Sequence, residues 1–526
     1  MLEFIFRRAS LLRWLPAVLL AAACASPSAA SAKAGPATVE RWGTFEIELT
    51  GPKDGNPFVD VSLDATFSQG DRNLTVLGFY DGGGKYRVRF MPDAIGTWTY
   101  RTRSNHKSLD GRTGKLSVTA PSPGNHGPVR VAGKHHFAYD DGKAYLPVGT
   151  TAYAWIHQPA ALQDQTLKTL AAAPFNKIRM CVFPKWYEYN RDEPAIYPFE
   201  RDAAGQFDFS RPNLNFFRHL DGRVRDLMKL GIEADLIIFH PYDEGHWGFD
   251  RMPPDADDRY LRYLIARVGA YRNVWWSLAN EYDLLKKKTP ADWDRYLDIV
   301  AKQDPFRHPT SIHNGEPDRI YDPRRAPITH LSVQHPNTGL IASWRTQFDK
   351  PVVDDECEYE GNFEVPWGNI SAEELVHRFW VGFMGGGYVG HAETYAHPKD
   401  EIWWSRGGAL HGQSPARIAF LRRVIEEHGP IEPLTNSWMW TRMPAARHGE
   451  TFLVYYGPRQ PMRLTWMTLS QFPLSKDGNK PHPRWRFQLI DTWNMTVTDL
   501  PGVHEGKISF DLPAKPYLAL RAIPVR

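Results

Sequence analysis

Apolar residues fall at every second position near both ends of the chain and gather into unbroken runs between helical stretches in the middle. In Thr44-Phe45-Glu46-Ile47-Glu48-Leu49 they alternate with polar ones. Tyr86-Arg87-Val88-Arg89-Phe90 repeats the pattern after the turn Asp81-Gly82-Gly83-Gly84, and Gly96-Thr97-Trp98-Thr99-Tyr100 continues it. A period of two describes strands with one buried face. The pattern predicts an all-β sandwich over residues 36–125, with Pro121, Pro123, Gly124 and Pro128 marking a linker. Alternation returns in Thr451 to Tyr456, Trp485 to Ile490 and Tyr517 to Ala522, predicting a second β-sandwich over 431–526.

Residues 130–430 read differently. Strand candidates are Tyr145 to Gly149, Lys177 to Phe183, Ile232 to Phe239, Val274 to Leu278, Thr310 to His313, Ile328 to Val333, Pro351 to Asp355 and Tyr388 to His391. Phe216 to Leu230 and Ala372 to Phe383 carry helical spacing between them. Eight strands alternating with helices over this length predict a (β/α)₈ TIM barrel, an α/β domain flanked by two all-β domains. No repeat of solenoid length is present.

The first 32 residues stand apart from the fold. Arg7, Arg8 and Arg13 precede an apolar run from Trp14 to Ala25, and Ala30-Ser31-Ala32 fits a small-residue cleavage site, so residues 1–32 are expected to be a secretory signal peptide. The run is too short for a permanent membrane span. The alternative is a lipoprotein, with Ala21-Ala22-Ala23-Cys24 as the lipidation site. Export is expected either way, to the periplasm or beyond the cell. Removing this segment lowers the formal charge from +3 to about +1, which gives no preference for nucleic acid. The other two cysteines, Cys181 and Cys357, are too few for a disulfide scaffold and are expected as buried thiols. Neither CxxC nor HExxH occurs, and no metal or cofactor is expected.

Active sites of TIM barrels form at the C-terminal ends of the strands. Those ends carry Arg179 within the second strand, His240 and Asp243 after the third, and Asn280 and Glu281 after the fourth. His313 and Asn314 follow the fifth, Gln334 and His335 the sixth, Glu356 and Glu358 the seventh, and His391 and Glu393 the eighth. Two carboxylates on rigid strand ends are what glycosidic cleavage needs: one acid to protonate the leaving oxygen, one carboxylate to attack the sugar or activate water.

These residues carry a resemblance. The Asn280-Glu281 pair and Glu356, in Lys350-Pro351-Val352-x-x-x-Glu356, resemble the retaining (β/α)₈ glycoside hydrolases. Arg41-Trp42-Gly43-Thr44-Phe45-Glu46, Arg89-Phe90-Met91-Pro92-x-x-x-Gly96-Thr97-Trp98 and Ile490-Asp491-Thr492-Trp493-Asn494-Met495 in a three-part layout resemble the bacterial apiosidase-like glycoside hydrolases. The resemblance implies that Glu281 is the general acid/base, Glu356 the nucleophile and Asn280 a ligand of the sugar hydroxyl beside the reacting carbon. Arg179 is expected to keep Glu356 charged. Glu358 and Glu393 are rival carboxylates, because Cys357-Glu358 and His391-Ala392-Glu393-Thr394 depart from the superfamily pattern.

A carbohydrate substrate is the expected partner. With 19 Trp and 22 Tyr the chain is rich in rings that stack on sugars or fill cores. Trp155, Trp186 and Trp247, together with Tyr187, Trp403 and Trp404, are candidate subsite residues, as are His240, Asp243, His335, His391 and Glu393. Competing readings are a non-catalytic carbohydrate-binding barrel, a polysaccharide lyase and a metal-dependent hydrolase.

Overall fold

A computed structural model describes residues 37–396, 402–435, 444–467, 484–505 and 507–525. The segment 1–32 and Cys24 lie outside them.

The N-terminal region forms a seven-stranded sheet from Ala37–Glu40 to Thr113–Thr119. Alternation does the work predicted of it. Ala65 and Phe67, on Leu63–Gln69, and Trp98, on Gly96–Ser104, point into one core, where Phe67 and Phe90 stack at 4.0 Å.

The central sheet is closed. Its strands are β1 (Gly149–Thr151), β2 (Lys177–Cys181), β3 (Glu233–Phe239), β4 (Val274–Ala279), β5 (Thr310–Ser311), β6 (Leu331–Gln334), β7 (Val352–Glu356) and β8 (Tyr388–His391). They pair in parallel as β5-β4-β3-β2-β1-β8-β7-β6, and a parallel bridge from His313 to Ser332 joins β5 to β6. The prediction placed the first strand at Tyr145 to Gly149, but it begins where that stretch ends. Tyr145 instead pairs with Phe137 in a small antiparallel sheet formed by Val129–Ala132, His136–Tyr139 and Ala144–Tyr145. Phe137 lies 5.1 Å from the Trp275 ring and 5.7 Å from Tyr388, near the starts of β4 and β8, so this sheet covers the N-terminal mouth of the barrel.

Helices α1 (Ala160–Ala172), α2 (Leu214–Lys229), α3 (Pro254–Val268), α4 (Pro290–Gln303), α5 (Ile341–Phe348), α6 (Ala372–Met384) and α7 (Ser414–Glu426) surround the sheet. α4 begins at a reciprocal capping box, Thr289 with Asp292, and Pro290 opens its first turn where no backbone N–H is needed. On β4 the two tryptophans divide between the barrel's layers. Trp275 joins the cluster around the plugging sheet, while Trp276 belongs to the helix-facing core and donates its Nε1–H to Asp304 at 2.9 Å. Replacing Trp276 by Ala would cost roughly 3–5 kcal/mol.

Charged groups tie the flanking regions to the barrel. Asp81 and Arg89 of the N-terminal sheet meet Arg267 on α3 and Asp221 on α2, each pair at 3.0 Å. A C-terminal six-stranded sheet packs on α6, where Tyr455 stacks with Trp380 at 5.4 Å.

Candidate active site

Below the rim, the barrel interior carries a buried ion cluster. The ammonium of Lys177 on β2 reaches Asp235 on β3 at 2.6 Å and Asp355 on β7 at 2.8 Å, while Ser332 donates to the other Asp355 oxygen at 2.6 Å. Arg179, two residues further along β2, faces the same way one layer higher. Its Nη1 donates to Glu356 Oε1 at 2.6 Å and its Nη2 to Asn280 Oδ1 at 2.9 Å. One guanidinium thus joins the ends of β4 and β7.

Strict alternation would place Asp355 and Glu356 on opposite faces of β7, yet both reach the interior. A register shift accounts for this: Val333 pairs with Asp354, and the next pair is Gln334 with Glu356. The extra residue rotates the strand end so that Glu356 is re-aimed at the site. Glu358 follows with φ +69° and its carboxylate turns to Arg378 on α6 at 2.8 Å, away from Arg179 and Asn280.

Glu356 is 6% exposed. Tyr153, two residues past β1, donates to its Oε1, and Tyr359 donates to its Oε2 at 2.7 Å. Burial pushes its pKa up, but His313, Arg179 and the two phenols outweigh that and hold it at about 2. His313, with Nε2 3.8 Å from Oε1, is itself lowered to about 4 by burial and by Arg179. At neutral pH the imidazole is therefore uncharged, and the carboxylate depends on Arg179 and the phenols.

Glu281 follows Asn280 off the end of β4 in a left-handed backbone conformation, φ +52°. A glutamate held there costs of order 1 kcal/mol and persists only where its surroundings fix it. Tyr282 N–H donates to His313 C=O at 2.9 Å, tying this turn to the end of β5, and Tyr242 O–H donates to Glu281 Oε2. Burial first, and then the charge of Glu356, push the Glu281 pKa up to about 7, against the opposing pull of Lys185 and the Tyr242 hydroxyl. Two carboxyls at one rim are thus driven to opposite protonation states. Asn280 Oδ1 is occupied by Arg179, so the amide's orientation is set, and its buried Nδ2 has no protein acceptor among the described residues.

Of the residues predicted from sequence, Arg179, Asn280, Glu281 and Glu356 come together. The other candidates have these protein partners. His240 is engaged by the Phe183 carbonyl and the Tyr242 N–H, and burial lowers its pKa to about 3. Asp243 accepts backbone N–H groups from Trp247, Gly248, Phe249 and Asp250, which organises the loop after β3. His335 accepts from Asn337 N–H and packs edge-on against Trp344. His391 binds the Thr150 hydroxyl at 3.0 Å and stacks on Phe175. Glu393 receives the backbone N–H groups of His411 and Gly412 and so holds the chain entering α7. Trp155 is fully buried in the barrel core, and Trp247 is nearly so, donating to Glu193 at 3.0 Å. Trp186 is half-buried at the rim with one face stacked on His246 at 3.8 Å. Trp403 is buried on Thr150, while Tyr187 and Trp404 join an aromatic cluster beside Glu356 with Tyr153 and Tyr359.

The phenols Tyr153, Tyr242 and Tyr359, together with Lys185, were missed by the sequence reading. All lie two to four residues past strand ends, where the same positional rule would have found them. Cys181 and Cys357 are buried free thiols. Among the described residues, no cluster of three side chains suited to a metal occurs, and no helix is long and apolar enough to cross a membrane.

A closed parallel barrel with two carboxyls at its C-terminal rim has the arrangement that glycosidic cleavage needs. The family model described as "Apiosidase-like, catalytic domain" matches residues 131–426, and the chain belongs to that family. Two domains of unknown function flank it, DUF5060 at residues 38–105 and DUF5605 at 440–523. A solved "putative glycoside hydrolase" from Bacteroides vulgatus is 39% identical, with a TM-score of 0.86 over 93% of this chain and 100% of that one. A glycoside hydrolase family 5 structure from the same organism shares the fold at 15% identity, with a TM-score of 0.55 over 77% of this chain and 94% of that one. No curated protein matches the chain. The protein is a glycoside hydrolase acting on a carbohydrate substrate.

Proposed function

We propose that this glycoside hydrolase is an exported, retaining enzyme in which Glu281 is the acid/base and Glu356 the nucleophile. The geometry that carries the reading is the unequal surroundings of two buried carboxyls at one rim. Glu356 receives Arg179, Tyr153 and Tyr359 and lies 3.8 Å from His313, which favours its charged form, while Glu281, whose donor is the Tyr242 hydroxyl, is held by burial toward its protonated form. Glu281 protonates the departing glycosidic oxygen while Glu356 attacks the anomeric carbon, giving a glycosyl ester on Glu356. Ester formation removes the Glu356 charge that helped keep the proton on Glu281. Glu281 then becomes the better base at the moment a water must be deprotonated to cleave the ester. The free Nδ2 of Asn280 donates to the sugar hydroxyl beside the reacting carbon. Tyr187, Tyr189, Trp367 and Trp404 form an aromatic wall suited to sugar stacking. Of the flanking β domains, read as sandwiches over 36–125 and 431–526, the first braces the barrel through the ion pairs of Asp81 with Arg267 and Arg89 with Asp221, and the second through the stacking of Tyr455 on Trp380. The basic and apolar leader at 1–32 supports export.

The test assays the purified protein beside Glu281→Gln and Glu356→Gln on polysaccharides and aryl furanosides and pyranosides, reading released sugars and their anomeric configuration. The reading expects one class of glycan to be cleaved with retention and both variants to lose most of that rate. Inverted product, or a fully active Glu356→Gln, would refute it. N-terminal sequencing of the protein from the non-cytoplasmic fraction tests export: a mature start near residue 33 is expected, and an intact Met1 would contradict it.

A further inference from the structure

Lys185 lies four residues beyond the end of β2 and is 1% exposed. Its ammonium sits among four rings, 3.5 Å from the centroid of Tyr153, 3.9 Å from Tyr242, 4.3 Å from Tyr187 and 5.1 Å from Trp404. Among the described residues no carboxylate comes within 4.0 Å of it to form an ion pair. A buried ammonium without a counter-ion is costly, and the negative faces of aromatic rings are the compensation available here. Such an arrangement calls for a reason.

Two of the four rings supply one. The hydroxyl of Tyr153 donates to Glu356 and that of Tyr242 donates to Glu281. A single cation thus lies against one phenol bound to each of the two carboxylates. A positive charge over a phenol draws density from the ring and strengthens its O–H as a donor, and chains of such bonds polarise one another. We propose that Lys185 is a positioning residue for the catalytic pair, acting on Glu281 and Glu356 through the rings of Tyr242 and Tyr153. The inference rests on the assignment of those two glutamates given above.

The cation opposes the two influences that keep a proton on Glu281, its burial and the Glu356 charge. The groups facing Lys185 are the four rings, the Cys181 thiol, the two glutamates, Arg179 and His240, whose imidazole is lowered to about 3 by burial and by Lys185 itself and is neutral. Burial pushes the Cys181 thiol up to about 12, so it is neutral. The caged ammonium therefore limits how basic Glu281 becomes, so the acid can return its proton within the neutral range. Burial lowers Lys185 itself to about 8, so this influence fades on the alkaline side.

Infrared difference spectroscopy on the full-length protein tests the proposal without a substrate. The band of protonated Glu281 is assigned by its loss in Glu281→Gln and titrated in wild type, Lys185→Met, Lys185→Gln and Lys185→Arg. In Lys185→Met and Lys185→Gln the midpoint should rise by about one pH unit or more, the influence of one nearby charge in a partly screened interior. Lys185→Arg, which keeps the charge, should stay near wild type. A midpoint unchanged in either folded neutral variant overturns the proposal, as does an equal rise in the arginine variant. Failure of the retaining mechanism would appear instead in the anomeric product, with this titration unaffected.

Discussion

Replacing Glu281 by Gln should stabilise the protein while removing its acid. In the folded state the Glu281 carboxyl is raised to about 7, first by burial and then by the Glu356 charge, against an ordinary value of 4.5. Below pH 4.5 the group is protonated in both the folded and unfolded states and favours neither. Between 4.5 and 7 the unfolded chain ionises first, so the folded state holds more protons and stability falls as pH rises. Two and a half pH units correspond to about 3 kcal/mol lost by the time both states are ionised. A glutamine has the same shape, keeps an oxygen for the Tyr242 hydroxyl and carries no charge to bury. The variant should therefore exceed wild type by about 1 kcal/mol near pH 5 and about 3 kcal/mol near pH 8. For a barrel of this size that is an upward shift of about 5 °C in the barrel's unfolding transition at the higher pH. Calorimetry of both proteins at the two pH values reads this directly, and the three-part chain calls for following the barrel transition separately. A stability difference that does not change with pH, or a less stable variant near pH 8, would refute the assignment of Glu281 as a raised carboxyl.

Arg179→Met breaks a buried pair and leaves Glu356 without its cation; denaturant unfolding at neutral pH should show a loss of roughly 3–5 kcal/mol. The acid limb of kcat/KM, which reports Glu356 ionisation, should move to higher pH because the effect holding that carboxyl at about 2 is weakened. Tyr153→Phe and Tyr359→Phe each remove one bond to the Glu356 carboxylate, worth about 1.5–3 kcal/mol, so kcat/KM should fall roughly 10- to 100-fold in each. Gly412→Ala should destabilise the start of α7, since an added Cβ would lie 2.5 Å from Glu393 Oε2 and 2.6 Å from Glu360 Oε2. Its thermal midpoint should drop while the kcat of the folded enzyme remains near wild type; a selective loss of kcat would return Glu393 to the catalytic set.

The barrel was legible because its strands are buried on both sides and read as apolar runs. β8 appears at its predicted bounds, and the other strands from β2 to β7 differ at their ends. β1 was misplaced because Tyr145 to Val148 is as apolar as a strand, but part of it serves the sheet that covers the barrel mouth. Glu281 was readable as the carboxylate after the most buried strand. Glu356 could be separated from Glu358 only in three dimensions, where an irregularity in β7 turns one inward and Arg378 draws the other out. The protein partners of the histidines and Glu393 were not readable for a single reason: polar side chains at strand ends also hold loops, and sequence does not show which backbone groups claim them. The phenols around the two carboxylates went unnoticed because tyrosine looks the same in a core as in a site.

Covalent trapping tests the two-glutamate account most directly. The protein is incubated with 2-deoxy-2-fluoro glycosyl fluorides of the sugars it releases, then digested and mapped by mass spectrometry. The account predicts one glycosyl adduct, carried by Glu356 and absent from Glu356→Gln. An adduct on Glu281, Glu358 or Glu393, or one that persists in Glu356→Gln, would contradict it.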